Sequence, residues 1–227
     1  MDIEVISLME GISNNLNRVE ESIVYNKQIR NNKYYRIGDK NIQISIRQKD
    51  DLLTYKAKAK RAVILVKKIN ETNEELLLNF IDNNRIEVLT EDYNCSEKKL
   101  KYVNILRDIE NSLIIDFEVL LFFLAINDIF KSIPWNKGEN TIIIGKAKEE
   151  NIVAKVVMST LKEIKHIDNS EMIELDLYGD YELSLKELAY IEDPLKEYLN
   201  YNKLRIIQRK STHTNNYIYF MLICSGW

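Results

Sequence analysis

With 227 residues, 45% of them hydrophobic, the chain is long enough to bury a sizeable core, as one large domain or two small ones. Charged residues make up 30% but balance to a net charge of -3, which excludes an overall field aimed at nucleic acid or a membrane surface. The two cysteines, Cys95 and Cys224, stand at no pair spacing and read as free buried thiols of a reducing compartment. Asp2, Glu4 and Glu10 interrupt anything like a signal peptide, and the longest apolar run, Val119 to Ile126, falls far short of the roughly 20 residues a bilayer needs. A cytoplasmic protein is expected. With six glycines and two prolines, the chain has little material for tight phosphate-cradling loops.

In chain order, Ile3 to Ser7 reads as a strand, and the turn from Ser7 to Ser13 leads into a helix over about Asn14 to Gln28. Ser13 can cap that helix, and Leu16, Val19 and Ile23 share one face. Such a strand-turn-helix entrance normally brings glycine amides against phosphate, yet this turn holds Leu8, Met9 and Glu10 beside one glycine, Gly11. Asn41 to Ile46 alternates as a half-buried strand, and Ala57 to Ile69 reads as a helix with a basic shell. Glu75 to Asp82 and Arg85 to Thr90 are apolar runs of strand length. A polar helix is expected from Ser96 to Glu110 and a short strand from Ser112 to Asp116. Strands alternating with helices imply a mostly parallel sheet.

From Phe117 a long apolar helix leads to Pro134, Trp135 and the turn Asn136 to Gly138. Then follow strand Asn140 to Ala147, helix Glu149 to Lys165 and strand Glu171 to Gly179. Ser184 with Glu187 three residues on forms a capping box for a helix expected to kink or restart near Pro194. Strands Lys203 to Arg209 and Asn216 to Ser225 close the chain, giving β-α-β-α-β-β, a mixed sheet with two helices on one side. A domain boundary is expected near residue 120, dividing residues 1–120 from 121–227.

Little else in the sequence carries chemistry. His166 and His213 have no Cys or carboxylate at ligand spacing, so no metal site is expected. Paired acids such as Glu149 with Glu150, or Glu91 with Asp92, read as solvated edges. The basic stretch with Lys56, Lys58, Lys60, Arg61, Lys67 and Lys68 lacks interleaved aromatics and reads as a solvated face.

The last stretch resembles a known family. Ile142 to Asn151 (IIIGKAKEEN), Leu177 to Leu188 (LYGDYELSLKEL) and Tyr219 to Trp227 (YFMLICSGW) are similar in order and spacing to the C-terminal domain of FtsZ, the bacterial tubulin-like cell-division GTPase. Phe130 to Gly138 (FKSIPWNKG) is similar to the segment before that domain, and Ile3 to Val19 to the family's first strand, loop and helix, with Ser13, Asn14, Asn17 and Arg18 matching. Thinner similarity lies at Arg36 to Lys40 and Val88 to Tyr93. The resemblance implies an α/β chain of truncated FtsZ/tubulin-like architecture. A Rossmann-like N-terminal sheet would be followed by an α+β C-terminal domain.

The departures matter as much. The resemblance implies a glycine-rich phosphate loop, expected between Phe80 and Arg85, where the chain reads FIDNNR without a glycine. It places Glu10 where phosphate charge would sit; two negative charges about 4 Å apart repel by about 1 kcal/mol in water, more in a drier cleft. The family's two hydrolytic acids fall on Ile126 and Ile129, with Asp128 out of register. The reading is therefore a pseudo-GTPase with no cofactor, not an enzyme. It would bind, cap or modulate FtsZ or another tubulin-like filament through protein contacts, with Asp128, Lys131, Trp135 and Lys137 as the candidate surface. Self-association into a nucleotide-independent polymer, or a small ligand in a reused interdomain cleft, are the alternatives. Neither nucleic-acid binding nor direct membrane insertion is expected.

Overall fold

The computed structural model describes residues 2–8, 27–29, 32–37, 40–48, 52, 55–57, 59, 61–83, 86–100, 102–108, 117–126, 138–163, 170–199, 204–211, 214 and 216–225. The chain divides into two compact units, Met1–Ile105 with Leu120–Ser132, and Leu106–Val119 with Ile133–Trp227.

In the first unit, β1 (Ile3–Ser7) lies between β4 (Lys40–Ile46) and β5 (Arg61–Ile69), parallel to both. Beyond β5 come β6 (Ile86–Tyr93) and β7 (Tyr102–Asp108), also parallel. On the other flank β3 (Asn32–Ile37) and β2 (Lys27–Ile29) join antiparallel, giving the order β7-β6-β5-β1-β4-β3-β2. Helix α1 (Glu71–Asn83) connects β5 to β6 and buries Leu77 and Phe80 with Ile6, Ile64, Val66 and Val88 of the sheet. Leu52 and Leu100 close the same core. Helix α2 (Phe117–Ile126) buries every residue from Val119 to Ala125, so its apolar run has no polar stripe.

Several elements here differ from the sequence expectation. Arg61–Ile69 is a central strand and not the end of a basic helix: Ala62 to Val66 are buried without interruption, as both faces of a parallel strand are covered and alternation vanishes. Its lysines, Lys67 and Lys68, sit at the exposed end of the strand. Glu71–Asn83 is a helix where a strand-length run was expected, because Leu77 and Phe80 fall on one face and the turn before it supplies caps. Tyr102–Asp108 is a strand and not part of a helix from Ser96; Val103 and Ile105 are buried, and Asn104 with them. Lys27 and Gln28, expected to end the first helix, belong to β2; the rest of that helix and the run Ser112 to Asp116 lie outside the described residues. The β2–β3 hairpin had no counterpart in the expectation.

The second unit follows its expected order. β8 (Gly138–Lys148), α3 (Glu149–Lys162), β9 (Met172–Gly179), α4 (Leu185–Tyr198), β10 (Leu204–Lys210) and β11 (Tyr217–Ser225) form a sheet ordered β10-β9-β11-β8. β10 runs parallel to β9, while β11 is antiparallel to both β9 and β8. Ile152 and Val156 of α3 and Ile191 and Leu195 of α4 share one core with Ile143, Leu175, Leu177, Ile218 and Phe220. The capping box is formed: the Glu187 amide donates to Ser184 Oγ at 3.3 Å and the Ser184 amide to Glu187 Oε2 at 2.8 Å. α4 continues through Pro194 to Tyr198 rather than restarting, with Leu195 buried beyond the proline.

Asn216, which leads into β11, has φ 62°, a left-handed conformation that asparagine tolerates better than β-branched residues. Cys95 and Cys224 are free and buried, and burial pushes both thiols up. Among the described residues no helix is long and apolar enough to cross a membrane.

Candidate functional site

In a sheet wound in two directions, a ligand sits outside the carboxyl ends of the strands, where the order reverses. Here the chain leaves β1 for β4 on one flank and then crosses to β5 on the other, so the reversal falls at β1. The carboxyl edge of the first unit is therefore the place to look. Its rim is Ser7 at the end of β1 and Leu8 after it, Arg47 after β4, Asn70 after β5 and Asn94 after β6. Backbone bonds knit this rim: the Leu8 amide donates to Leu65 O, the Arg47 amide to Ser7 O and the Asn94 amide to Ile69 O.

The strand-to-helix turn at this edge is Ile69-Asn70-Glu71, between β5 and α1. This corrects the expected position of the phosphate loop: Phe80 to Asn83 lie inside α1, and the turn that could face a phosphate is one element earlier. It also lacks glycine. A helix start leaves its first amides unpaired, and those amides with the helix dipole attract anions. In α1 they are spent within the chain. The Thr72 amide donates to Asn70 Oδ1 at 3.2 Å, and the amides of Asn73 and Glu74 donate to Asn70 O. The Glu71 amide interacts with the carboxylate of its own side chain. Asn73 closes the cap from the other side: its Oδ1 accepts from the Asn70 amide at 2.9 Å and its Nδ2 donates to Lys68 O at 2.8 Å.

The helix dipole is answered by protein carboxylates as well. Glu71 and Glu74 occupy the first turn of α1, and the segment Asn94 to Leu100 folds onto them. The Ser96 amide donates to Glu71 Oε1 at 3.0 Å, and the Lys99 amide to Glu74 Oε1 at 2.8 Å. The buried Tyr93 hydroxyl donates to the same Glu74 oxygen and accepts from the Leu100 amide at 3.1 Å. Burial pushes Glu74 up, but the Tyr93 hydroxyl and the Lys99 and Leu100 amides outweigh it and leave the carboxyl below 4.5. Burial, then the bond to Glu74, holds the Tyr93 phenol far above its ordinary range. Two carboxylates thus stand in the first turn of α1, held by the segment from Tyr93 to Lys99.

A second polar group lies beside β1. Glu4 is fully buried; the Ser45 hydroxyl donates to it at 3.1 Å and so does Tyr55. Gln43 Nε2 donates to Ser45 Oγ at 2.8 Å, and the Arg47 guanidinium lies 4.8 Å from the centre of the Tyr55 ring. This network ties Tyr55 to the sheet.

Sequence reasoning missed Glu4, Glu74 and Tyr93; the one available signal was the Asn-x-x-Asn spacing of Asn70 and Asn73 before an apolar run. Asp128, Lys131, Trp135 and Lys137 lie outside the described residues, as do Met9, Glu10, His166 and His213; Ile126 is the last residue of α2. Among the described residues no group of His, Cys, Asp and Glu could hold a metal ion.

No protein-family model matches the sequence, and no curated protein does. Solved structures similar to this chain include an empty FtsZ dimer from M. jannaschii, at 14% identity and TM-score 0.40, covering 73% of this chain and 54% of that one. CetZ2 from Haloferax volcanii, solved as a GTPγS-bound protofilament, is 10% identical with TM-score 0.40, over 78% and 58% of the two chains. CetZ1 from the same organism, a GDP-bound monomer, is 12% identical with TM-score 0.41, over 74% and 56%. This chain spans just over half the length of each.

Proposed function

We propose that this chain is a non-hydrolysing FtsZ-like protein that works through protein–protein contacts, binding, capping or modulating a tubulin-like filament. One observation carries the reading: at the turn between β5 and α1 the helix amides are capped within the chain, and Glu71 and Glu74 add two carboxylates to the first turn of that helix. A triphosphate brought to that helix start would meet two negative charges, which repel it. The resemblance of residues 130–227 supports retention of a docking domain, and the second unit has the β-α-β-α-β-β order read from its sequence pattern. A subunit that keeps such a domain without a nucleotide of its own could join one filament end and block further addition.

The test is sedimentation of the purified protein with and without FtsZ and GTP. Co-pelleting with FtsZ, or inhibition of its assembly, is the expected result. Pelleting alone would replace the reading with self-assembly, and a melting temperature raised by GTP would overturn it.

A further inference from the structure

β10 lies at the margin of the second unit's sheet: it pairs with β9 on one side, and among the described residues no strand flanks the other. It is seven residues long, Leu204–Lys210, enough for a partner strand to pair along it. Leu204 and Ile206 pack with the helix-side core, so alternation sets Arg205, Ile207 and Arg209 on the opposite face. Arg205 Nη1 lies 3.3 Å from Glu174 Oε2, and Arg209 Nη2 3.8 Å from Asp176 Oδ1. The carboxylates are nearly buried, with side chains 10% and 3% exposed, whereas the arginines are 71% and 45% exposed. Both cations thus lie beside carboxylates of the neighbouring strand β9 while much of each arginine side chain stays open to solvent. Each guanidinium has five N–H donors, more than one carboxylate takes up.

With Lys210, the strand carries three cations and no acid. A second copy of β10 paired antiparallel about Ile207 would set Arg205 against Arg209, like charge against like, which disfavours self-pairing. The complementary occupant is acidic. We propose that β10 is a docking edge for an extended acidic segment of another protein, which adds as an antiparallel strand. Carboxylates two positions either side of an apolar residue would face Arg205 and Arg209, with the apolar side chain over Ile207.

This rests on the reading of a protein that acts by contact, and the two fail separately. Loss of peptide binding leaves filament co-sedimentation untouched, and loss of co-sedimentation leaves the peptide result standing. The experiment is fluorescence anisotropy of the whole chain with a labelled Ser-Glu-Thr-Val-Thr-Glu-Ser peptide. We expect it to bind at least ~10-fold tighter than Ser-Lys-Thr-Val-Thr-Lys-Ser, with that preference lost in an R205Q/R209Q variant. In the unmodified protein, N-methylation along one edge of the peptide backbone should weaken binding and along the other edge should not. Equal affinity for the two peptides, no binding of either, or indifference to N-methylation on both edges would overturn the proposal.

Discussion

Replacing Glu74 tests how the first unit closes its own helix start. The residue is 4% exposed and its carboxylate accepts from the Lys99 amide and the Tyr93 hydroxyl, so Glu74→Ala leaves both donors without that acceptor. Bonds to a charged acceptor contribute about 1.5–3 kcal/mol each, and water can reach the exposed Lys99, so the loss should be about 2–4 kcal/mol. Glu74→Gln keeps an acceptor oxygen without the charge and should lose about half as much. Amide hydrogen exchange is the sharper assay. Opening made easier by about 2 kcal/mol speeds exchange roughly 30-fold, and the change should concentrate at Ser96, Lys99 and Leu100 while the amides of β9 and β11 stay protected. Since the folded carboxyl lies below its ordinary 4.5, its contribution is full above that value and is lost as pH falls through the lower folded value. The unmodified protein and Glu74→Gln should therefore converge in stability in strong acid. Unchanged exchange at Lys99 in Glu74→Ala would refute the reasoning.

Asp176 behaves in the opposite sense. Burial pushes it up to about 6 against the opposing Arg209 charge, so the folded protein holds an extra proton between the ordinary value of 3.8 and about 6, and loses stability as pH rises through that window. Asp176→Asn has no such step and should gain on the unmodified protein by about 1–2 kcal/mol between pH 4 and 7, the full two-unit equivalent being discounted for screening by solvent; chemical denaturation at the two pH values reads this. Ser184→Ala should cost about 1 kcal/mol by removing the acceptor for the Glu187 amide, seen as a lower denaturation midpoint at unchanged slope.

The two halves of the chain were not equally legible. In the second unit, apolar runs alternate with amphipathic helices, and Ser184 with Glu187 marks a helix start by its chemistry alone, so elements and order could be read directly. In the first unit β5 is a central parallel strand, buried on both faces from Ala62 to Val66, and the lysines around that run imitate a helix with a charged shell. α1 was hidden by the consecutive Leu76-Leu77-Leu78, which obscures the spacing of its buried residues. Exchanging those two elements moved the expected phosphate turn one connection too far, from Asn70 to Asn83. The lack of glycine could be read from the sequence. The contacts of the Glu74 carboxylate could not, because Glu74 meets Lys99 and Tyr93 across 25 and 19 residues of chain.

Isothermal titration of the purified protein with GTP and Mg²⁺ addresses the central claim most directly. A turn whose helix amides are capped from within and whose first turn carries Glu71 and Glu74 should give no binding tighter than about 1 mM and no phosphate release. Stoichiometric binding near 1 μM, worth about 8 kcal/mol, would contradict it.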